Sequence, residues 1–184
     1  MFCSVVLRAL FYFLPAYAAN AAPVLLAKLK ILESLKVPVD FGKQLNGEDL
    51  FGRTKTWRGI LGGIVFAEIV ILIEYWLITT YTFFGEFYLF TPSLKEVIIL
   101  GLLFGIGEGF GDVFKSFFKR RLHIKSSKPF FPFDQMSFLG ALFLSFIVYV
   151  PDFGVILSIV IISPLIPVIS NLVAYKLGLK KVWW

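Results

Sequence analysis

An all-α, polytopic membrane protein with about five transmembrane helices is the architecture that three features of these 184 residues predict. Residues of the AVILMFWYC class make up 58% of the chain and charged residues only 16%, whereas soluble domains run at about 45–50% apolar with glycine included and about 25% charged. The mean hydropathy is +0.84, and a water-soluble globule of this size cannot hide so much apolar surface. The apolar residues also gather into five stretches near the ~20 residues that a helix needs to cross hydrocarbon. A secreted domain, a disordered chain and a nucleic-acid binder inferred from the pI of about 9.4 are thereby excluded. A single cysteine, Cys3, excludes an intramolecular disulfide and a cysteine-based metal cluster.

The first stretch, 2–29, is interrupted only by Arg8, Asn20 and two prolines, and Arg8 is expected to snorkel or to face the bundle. Its Pro15–Asn20 segment imitates a signal-peptide cleavage site. No Lys or Arg precedes the apolar run, however, and the apolar character resumes afterwards, so a retained helix is expected. The second stretch, 57–80, carries Glu68 and Glu74, and the third, 94–114, carries Glu108 and Asp112. The fourth, 134–150, is the shortest. The fifth, 155–177, contains Pro164 and Pro167, which predict a kink. Five spans leave roughly 70 residues for connections, so the chain is a single membrane-embedded domain over 1–184.

The cations set the orientation. Of the 18 Lys and Arg, 16 lie in 28–58, in 115–128 and in the C-terminal stretch. By the positive-inside rule these segments face the cytoplasm, the N-terminus lies outside and the C-terminus is cytoplasmic. Two cytoplasmic loops, about 30–57 and 119–134, then hold nearly all the polar chemistry at the cell membrane. In loop one, Lys43, Arg53, Lys55 and Arg58 interleave with Thr54 and Thr56 among glycines, which suits phosphate oxygens. A solvated loop drawn to anionic headgroups accounts for the same composition, and both readings stand.

The second segment is more specific. Glu108, Asp112, Lys115, Ser116 and Lys119 share one helical face, opposite Phe110, Phe114 and Phe117. An acid inside an apolar span faces the bundle or a polar cavity and marks a functional site; an intrahelical pair with Lys115 or Lys119 is the structural alternative for Asp112. Lys119, Arg120, Arg121, Lys125 and Lys128 follow within ten residues, then Asp134. Two carboxylates from different helices beside so many cations fit a hard divalent ion holding a polyphosphate, with Asp112 and Asp134 as its ligands. His123 lacks partners at ligand spacing and reads as a loop residue; Arg121 reads as a headgroup anchor.

These residues resemble a known family. The stretches Ala16–Pro23 (AYAANAAP), Phe41–Gly59 (FGK…FGRTKTWRG) and Gly111–Gln135 (GDVFKSFFKRRLHIK…PFFPFDQ) are similar to the CDP-archaeol synthases, short archaeal relatives of the CDP-diacylglycerol synthases. The last stretch also resembles the wider cytidylyltransferase signature G-D-x-x-x-S-x-x-K-R, here Gly111, Asp112, Ser116, Lys119 and Arg120, followed by Asp134. That signature ends in two aspartates three apart, and this chain has Ser137 in place of the second, which makes a single Mg²⁺ the simpler expectation.

The resemblance implies transfer of CMP from CTP to 2,3-di-O-geranylgeranyl-sn-glycerol 1-phosphate, giving CDP-archaeol and diphosphate. On this reading Mg²⁺ is the cofactor and Asp112, Asp134, Lys119 and Arg120 are catalytic. Asn20, Lys43, Thr56, Arg58, Lys115, Ser116, Lys125, Lys128 and Gln135 bind the substrates, with Asn20, Gln135 or loop backbone reading cytosine. The partners are CTP, the isoprenoid glycerol phosphate and membrane lipids, with a homo-oligomer compatible. The phenylalanines at 114–118 and 130–133 are candidates to line a lateral opening for the lipid chains. The competing readings are a CTP-dependent polyprenol or dolichol kinase and, from another class, a small transporter. Polar groups gathered at one face, without repeat symmetry, weigh against the transporter.

Overall fold

The computed structural model describes residues 2–124, 128 and 130–178; Lys125, one of the expected phosphate contacts, lies outside them. The architecture is helical. Helices α1 (Phe2–Leu29), α2 (Trp57–Thr80) and α4 (Leu94–Arg121) form the frame, and a four-residue turn of helix, α3 (Thr82–Gly85), follows α2. The chain ends in α5 (Phe138–Ser145), α6 (Phe153–Ile162) and α7 (Leu165–Lys176). Among the described residues four segments are long and apolar enough to cross a membrane: 4–29, 57–80, 94–121 and the α6–α7 unit 153–176.

The core gathers where α1, α2, α4, α5 and α6 meet. Along α1, Ala9, Tyr12, Phe13, Ala16 and Ala19 keep one stripe buried at helical spacing. Phe13 and Phe104 are fully buried and pack edge to face, 5.3 Å between centroids. Outward residues such as Phe110, Phe114, Phe143 and Ile147 are exposed, as a lipid-facing surface requires. Helix α4 starts in a capping box: Ser93 Oγ accepts from Glu96 N while Glu96 Oε2 accepts from Ser93 N at 2.7 Å. It runs seven residues past the expected end at Phe114. At 1.5 Å per residue its 28 residues span about 42 Å, longer than the ~30 Å hydrocarbon thickness. The charged turns bearing Lys115–Arg121 thus keep helical geometry beyond the apolar stretch 94–114.

The expected fourth span is much shorter as a helix. Asp134 sits in a 3₁₀ turn (Phe133–Gln135), and α5 has only eight residues. After Ser145 the hydrogen bonds tighten to i→i+3 (Ile147 N to Leu144 O, Val148 N to Ser145 O), and Pro151 forbids continuation. The strand of chain still reaches the other end of α4, where the Tyr149 ring stacks on Phe90 at 4.4 Å and its hydroxyl donates to Leu89 O. The kink expected from the prolines is present: α6 stops at Ile162 and α7 restarts at Leu165.

Loop one is folded rather than open. Its ends are zipped together by Val39 N to Lys55 O (2.8 Å) and Trp57 N to Val37 O (3.0 Å). Its tip is an antiparallel hairpin, β1 (Gln44–Leu45) and β2 (Glu48–Asp49), closed by Asn46-Gly47 with both φ angles positive (55° and 79°), the backbone that Asn-Gly favours.

Candidate active site

A cavity of about 540 Å³ opens between α1, the start of α2, the C-terminal half of α4, the 133–135 turn and α7. Each wall contributes identifiable chemistry. Asn20 and Pro23 come from α1, and Thr54, Lys55, Thr56 and Gly59 come from the end of loop one and the first turn of α2. Glu108, Asp112, Lys115, Ser116 and Lys119 line it from α4, the one face anticipated from their spacing, and Arg120 joins them. Lys128, Asp134, Gln135 and Asn171 complete it.

The two carboxylates are embedded among ammonium groups. Lys55 Nζ donates to Asp112 Oδ2 at 2.6 Å, and Lys115 Nζ lies 3.0 Å from Asp112 Oδ1. Lys115 also donates to the backbone oxygen of Asp134 at 2.7 Å, so one side chain bridges the two acidic segments. Lys119 Nζ sits 3.0 and 3.1 Å from the two oxygens of Asp134, which also accepts from Phe130 N at 2.7 Å. Arg120 is buried with an Nε that has no hydrogen-bond partner among the described residues. Deeper in the cavity, the Glu108 carboxylate accepts from the Asn20 amide and the Ser137 hydroxyl. The position where the wider signature carries its second aspartate therefore serves here to satisfy Glu108.

Several expected contacts are placed differently. Arg58 is buried in an ion pair with Glu33, which ties the start of α2 to the chain after α1 and keeps Arg58 out of the cavity. Lys43 lies in the connection leading to the hairpin, outside the lining. Thr56 lines the cavity while capping α2, its Oγ accepting from Gly59 N at 3.3 Å. Ser116 lines it too, but its hydroxyl donates back to Asp112 O at 2.9 Å. Arg121, expected as a headgroup anchor, instead grips the hairpin backbone, and His123 Nδ1 lies 3.2 Å from Glu48 Oε1. Phe114 and Phe118 face outward and do not line the cavity.

Sequence reasoning left Lys55 among several equivalent loop cations and assigned nothing to Asn171. The available signal for Lys55 was its place directly before the N-cap Thr56, where a rigid helix end anchors it; Lys43 has no such neighbour. For Asn171 the signal was an amide inside an otherwise apolar span.

Asp40 holds loop one together. Its buried carboxylate accepts from Gly42 N (3.0 Å), Phe51 N (2.9 Å) and Gly52 N (3.2 Å). Burial alone raises a carboxyl pKa, but these amides outweigh it and hold Asp40 below the ordinary aspartate value. A depressed folded-state pKa contributes stability that is present above the unfolded value and lost as pH falls through the folded one. Loop one is thus expected to stay ordered from neutrality down to about pH 4 and to loosen only below it. Asp40→Asn, which strips the charge from these bonds, should cost about 1–3 kcal/mol at neutral pH, a difference that shrinks at acid pH as Asp40 itself takes up a proton. Amide hydrogen exchange across residues 41–52, followed against pH, checks both statements.

Among the described residues no three His, Cys, Asp or Glu side chains converge as a metal cage. Two hard oxygen donors on one cavity, with room left for phosphate oxygens and water, match the way Mg²⁺ is held and not the way structural zinc is. The donor set therefore fits Mg²⁺ through Asp112 and Asp134.

A family model described as CarS-like CDP-archaeol synthase matches residues 2–184. A protein of Thermococcus onnurineus named CDP-archaeol synthase is 37% identical, with both chains covered in full. One of Pyrococcus horikoshii with the same name is 38% identical over 97% of this chain and 96% of its own, and one of Methanocaldococcus jannaschii is 33% identical over all of both. A solved structure described as an intramembrane enzyme for archaeal membrane lipids biosynthesis superposes with a TM-score of 0.70. It has 28% identity and covers 90% of this chain and 94% of that one. Family model, relatives and solved structure all match over nearly the whole length, and the chain belongs to the CarS-like CDP-archaeol synthase family.

Proposed function

We propose that this protein transfers the cytidylyl group of CTP to an isoprenoid ether-linked glycerol phosphate, giving CDP-archaeol and diphosphate, at the cytoplasmic face of the cell membrane. The observation that carries the reading is the joining, in one cavity, of Asp112 and Asp134 with Lys55, Lys115, Lys119, Arg120 and Lys128. Such a set suits a substrate with many phosphate charges.

The reaction is an in-line displacement. An oxygen of the lipid phosphate attacks the α-phosphorus of CTP, the new P–O bond forms, and the bond to the β-phosphate oxygen breaks as diphosphate leaves. The attacking oxygen is already anionic, so catalysis is positioning and charge stabilisation, with no strong base required. Asp112 and Asp134 would hold Mg²⁺, which when bound would withdraw charge from the phosphoryl oxygens. Lys55 and Lys115, both paired with Asp112, meet the triphosphate on this reading. Lys119 and Arg120 neutralise the leaving diphosphate or the lipid phosphate, and Lys128 joins them at the rim. Asn20 and Gln135 flank the inner end, where cytosine needs one acceptor and two donors.

A second, mostly apolar cavity of about 140 Å³ adjoins the first between α1 and α7, sharing Asn20, Glu108, Gln135 and Asn171 and adding Leu25, Phe138 and Ile166. It supports a route for the lipid chains on that side rather than past Phe114 and Phe118.

The test uses purified protein in detergent with α-labelled CTP, Mg²⁺ and geranylgeranylated glycerol 1-phosphate. The expected product is a labelled CDP-lipid whose formation stops on adding EDTA. With an isoprenoid alcohol supplied in parallel, its phosphorylation together with release of labelled CDP identifies a CTP-dependent kinase instead, and label transfer that persists in chelator removes the metal from the reading.

A further inference from the structure

The β1–β2 hairpin is too small to hold itself: an isolated two-stranded pair is marginal even with longer strands. Arg121, on the last turn of α4, reaches it. Its Nη1 donates to Leu45 O at 2.8 Å, and its Nη2 donates to Asp49 O at 2.9 Å and to Glu48 O at 3.4 Å. The guanidinium carbon lies 5.3 Å from the centroid of the Phe117 ring, which itself meets Phe51 at 6.4 Å. One planar fork thus spans carbonyls of both strands while stacked on its own helix, an arrangement that the point charge of a lysine does not reproduce.

The same loop ends in Lys55. Asp40 ties Gly42 to Phe51 and Gly52, Leu50 N donates to Lys43 O, and Val39 N donates to Lys55 O. Hairpin, Asp40 knot and Lys55 are therefore one hydrogen-bonded piece. Its polar contacts with α4 are made through Arg121 at the tip and the Lys55–Asp112 pair at the base, with the Phe51–Phe117 ring contact between them. Arg121 does not line the cavity.

We propose that Arg121 is a positioning residue, docking loop one on the end of α4 and thereby setting Lys55 against Asp112 in the cavity. The inference rests on the reading above only in taking Lys55 to meet the nucleotide phosphates. Arg121 acts on that site from its far side, through the loop, and not by contact with either substrate.

The experiment measures Mg²⁺·CTP affinity in detergent for the wild type, Arg121→Ala, Lys55→Met and the double variant, with Arg121→Gln and Arg121→Lys alongside. Each of Arg121→Ala and Lys55→Met should weaken binding about tenfold, and the double variant should be no worse than Lys55→Met within about twofold, because the two act in series. Arg121→Lys should behave like Arg121→Ala, since the fork rather than the charge is needed. The KM for the lipid should not move. Additive losses, about a hundredfold in the double variant, or an unchanged affinity in Arg121→Ala, would overturn the proposal. Hydrogen exchange over 41–52 needs no nucleotide: it should quicken in Arg121→Ala and Arg121→Gln while α1, α2 and α4 stay protected. If the wild type bound no CTP, the functional reading would fall and this exchange would still decide the docking; unchanged exchange in both variants refutes it.

Discussion

Asp112→Asn should lower cytidylyl transfer by at least a hundredfold across any Mg²⁺ concentration, with the protein still extracted folded and melting near the wild-type temperature. The amide keeps the size of the side chain and one acceptor oxygen, so the packing around α4 survives. The charge is what disappears. Asp112 is the single carboxylate on which Lys55 and Lys115 converge, at 2.6 and 3.0 Å. Without it these two ammonium groups repel each other, and the cavity loses one of the two aspartates set among its cations. Removing one pre-organised electrostatic partner from such a site costs about 10²–10³ in rate. Initial rates of CDP-lipid formation over a Mg²⁺ titration, paired with a thermal melt, give the answer. A rate within threefold of wild type would remove Asp112 from the site. Asp134→Asn should fall comparably in rate. It should also loosen the 130–134 turn, because the same carboxylate accepts from Phe130 N.

The long helices were legible because hydrocarbon imposes its own length on them. The bounds expected for α1 and α2 coincide with those observed, at 2–29 and 57–80. The end of α4 was missed because apolarity stops at Phe114 while helical geometry does not: Lys115–Arg121 are good helix formers whose charges favour a helix C-terminus. The α4 side of the cavity was readable for the same reason, since spacing along a helix is spacing on a face. Loop one was not. Its cations are equivalent in composition and are sorted only by folded backbone, which sends Lys55 inward, leaves Lys43 by the hairpin and buries Arg58 against Glu33. One signal was there to be used. Asn46-Gly47 between short polar strands is a hairpin dipeptide, and a hairpin tip needs a dock, which turns Arg121 from a headgroup anchor into a structural clamp. The fourth span was overestimated because an apolar count cannot see that Pro151 and the 3₁₀ turns around Phe133 and Val148 leave α5 only eight residues.

Gly111→Ala is expected to be as damaging as loss of the carboxylate, by a wholly different route. A Cβ at Gly111 would stand 2.1 Å from Ser137 O and 2.9 Å from Ser137 C, so the obstacle is backbone and cannot swing aside. One turn earlier Gly107 meets the backbone of Gly140 and Ala141 at 2.5 Å, which shows the chain after Asp134 pressed flat along this side of α4. Ser137 follows Asp134 by three residues, and Asp112 follows Gly111 by one. The added methyl therefore acts as a wedge between the two segments that carry the site's carboxylates. Overpacking of this kind costs about 1–3 kcal/mol, and a displacement near 1 Å of a positioned group costs about a hundredfold in rate. The rate should therefore fall further than the stability loss alone explains: at a temperature where the variant is still fully folded, transfer should remain about a hundredfold down. Gly154→Ala is the control. Its Cβ meets only Val5 Cγ1 at an ordinary 3.5 Å, and alanine is the better helix former by about 1 kcal/mol, so that variant should keep its rate and melt no lower. Equal, small effects from the two substitutions would mean that α4 and the 134–137 segment are not held in register by this contact, and that Asp134 reaches the cavity by some looser means.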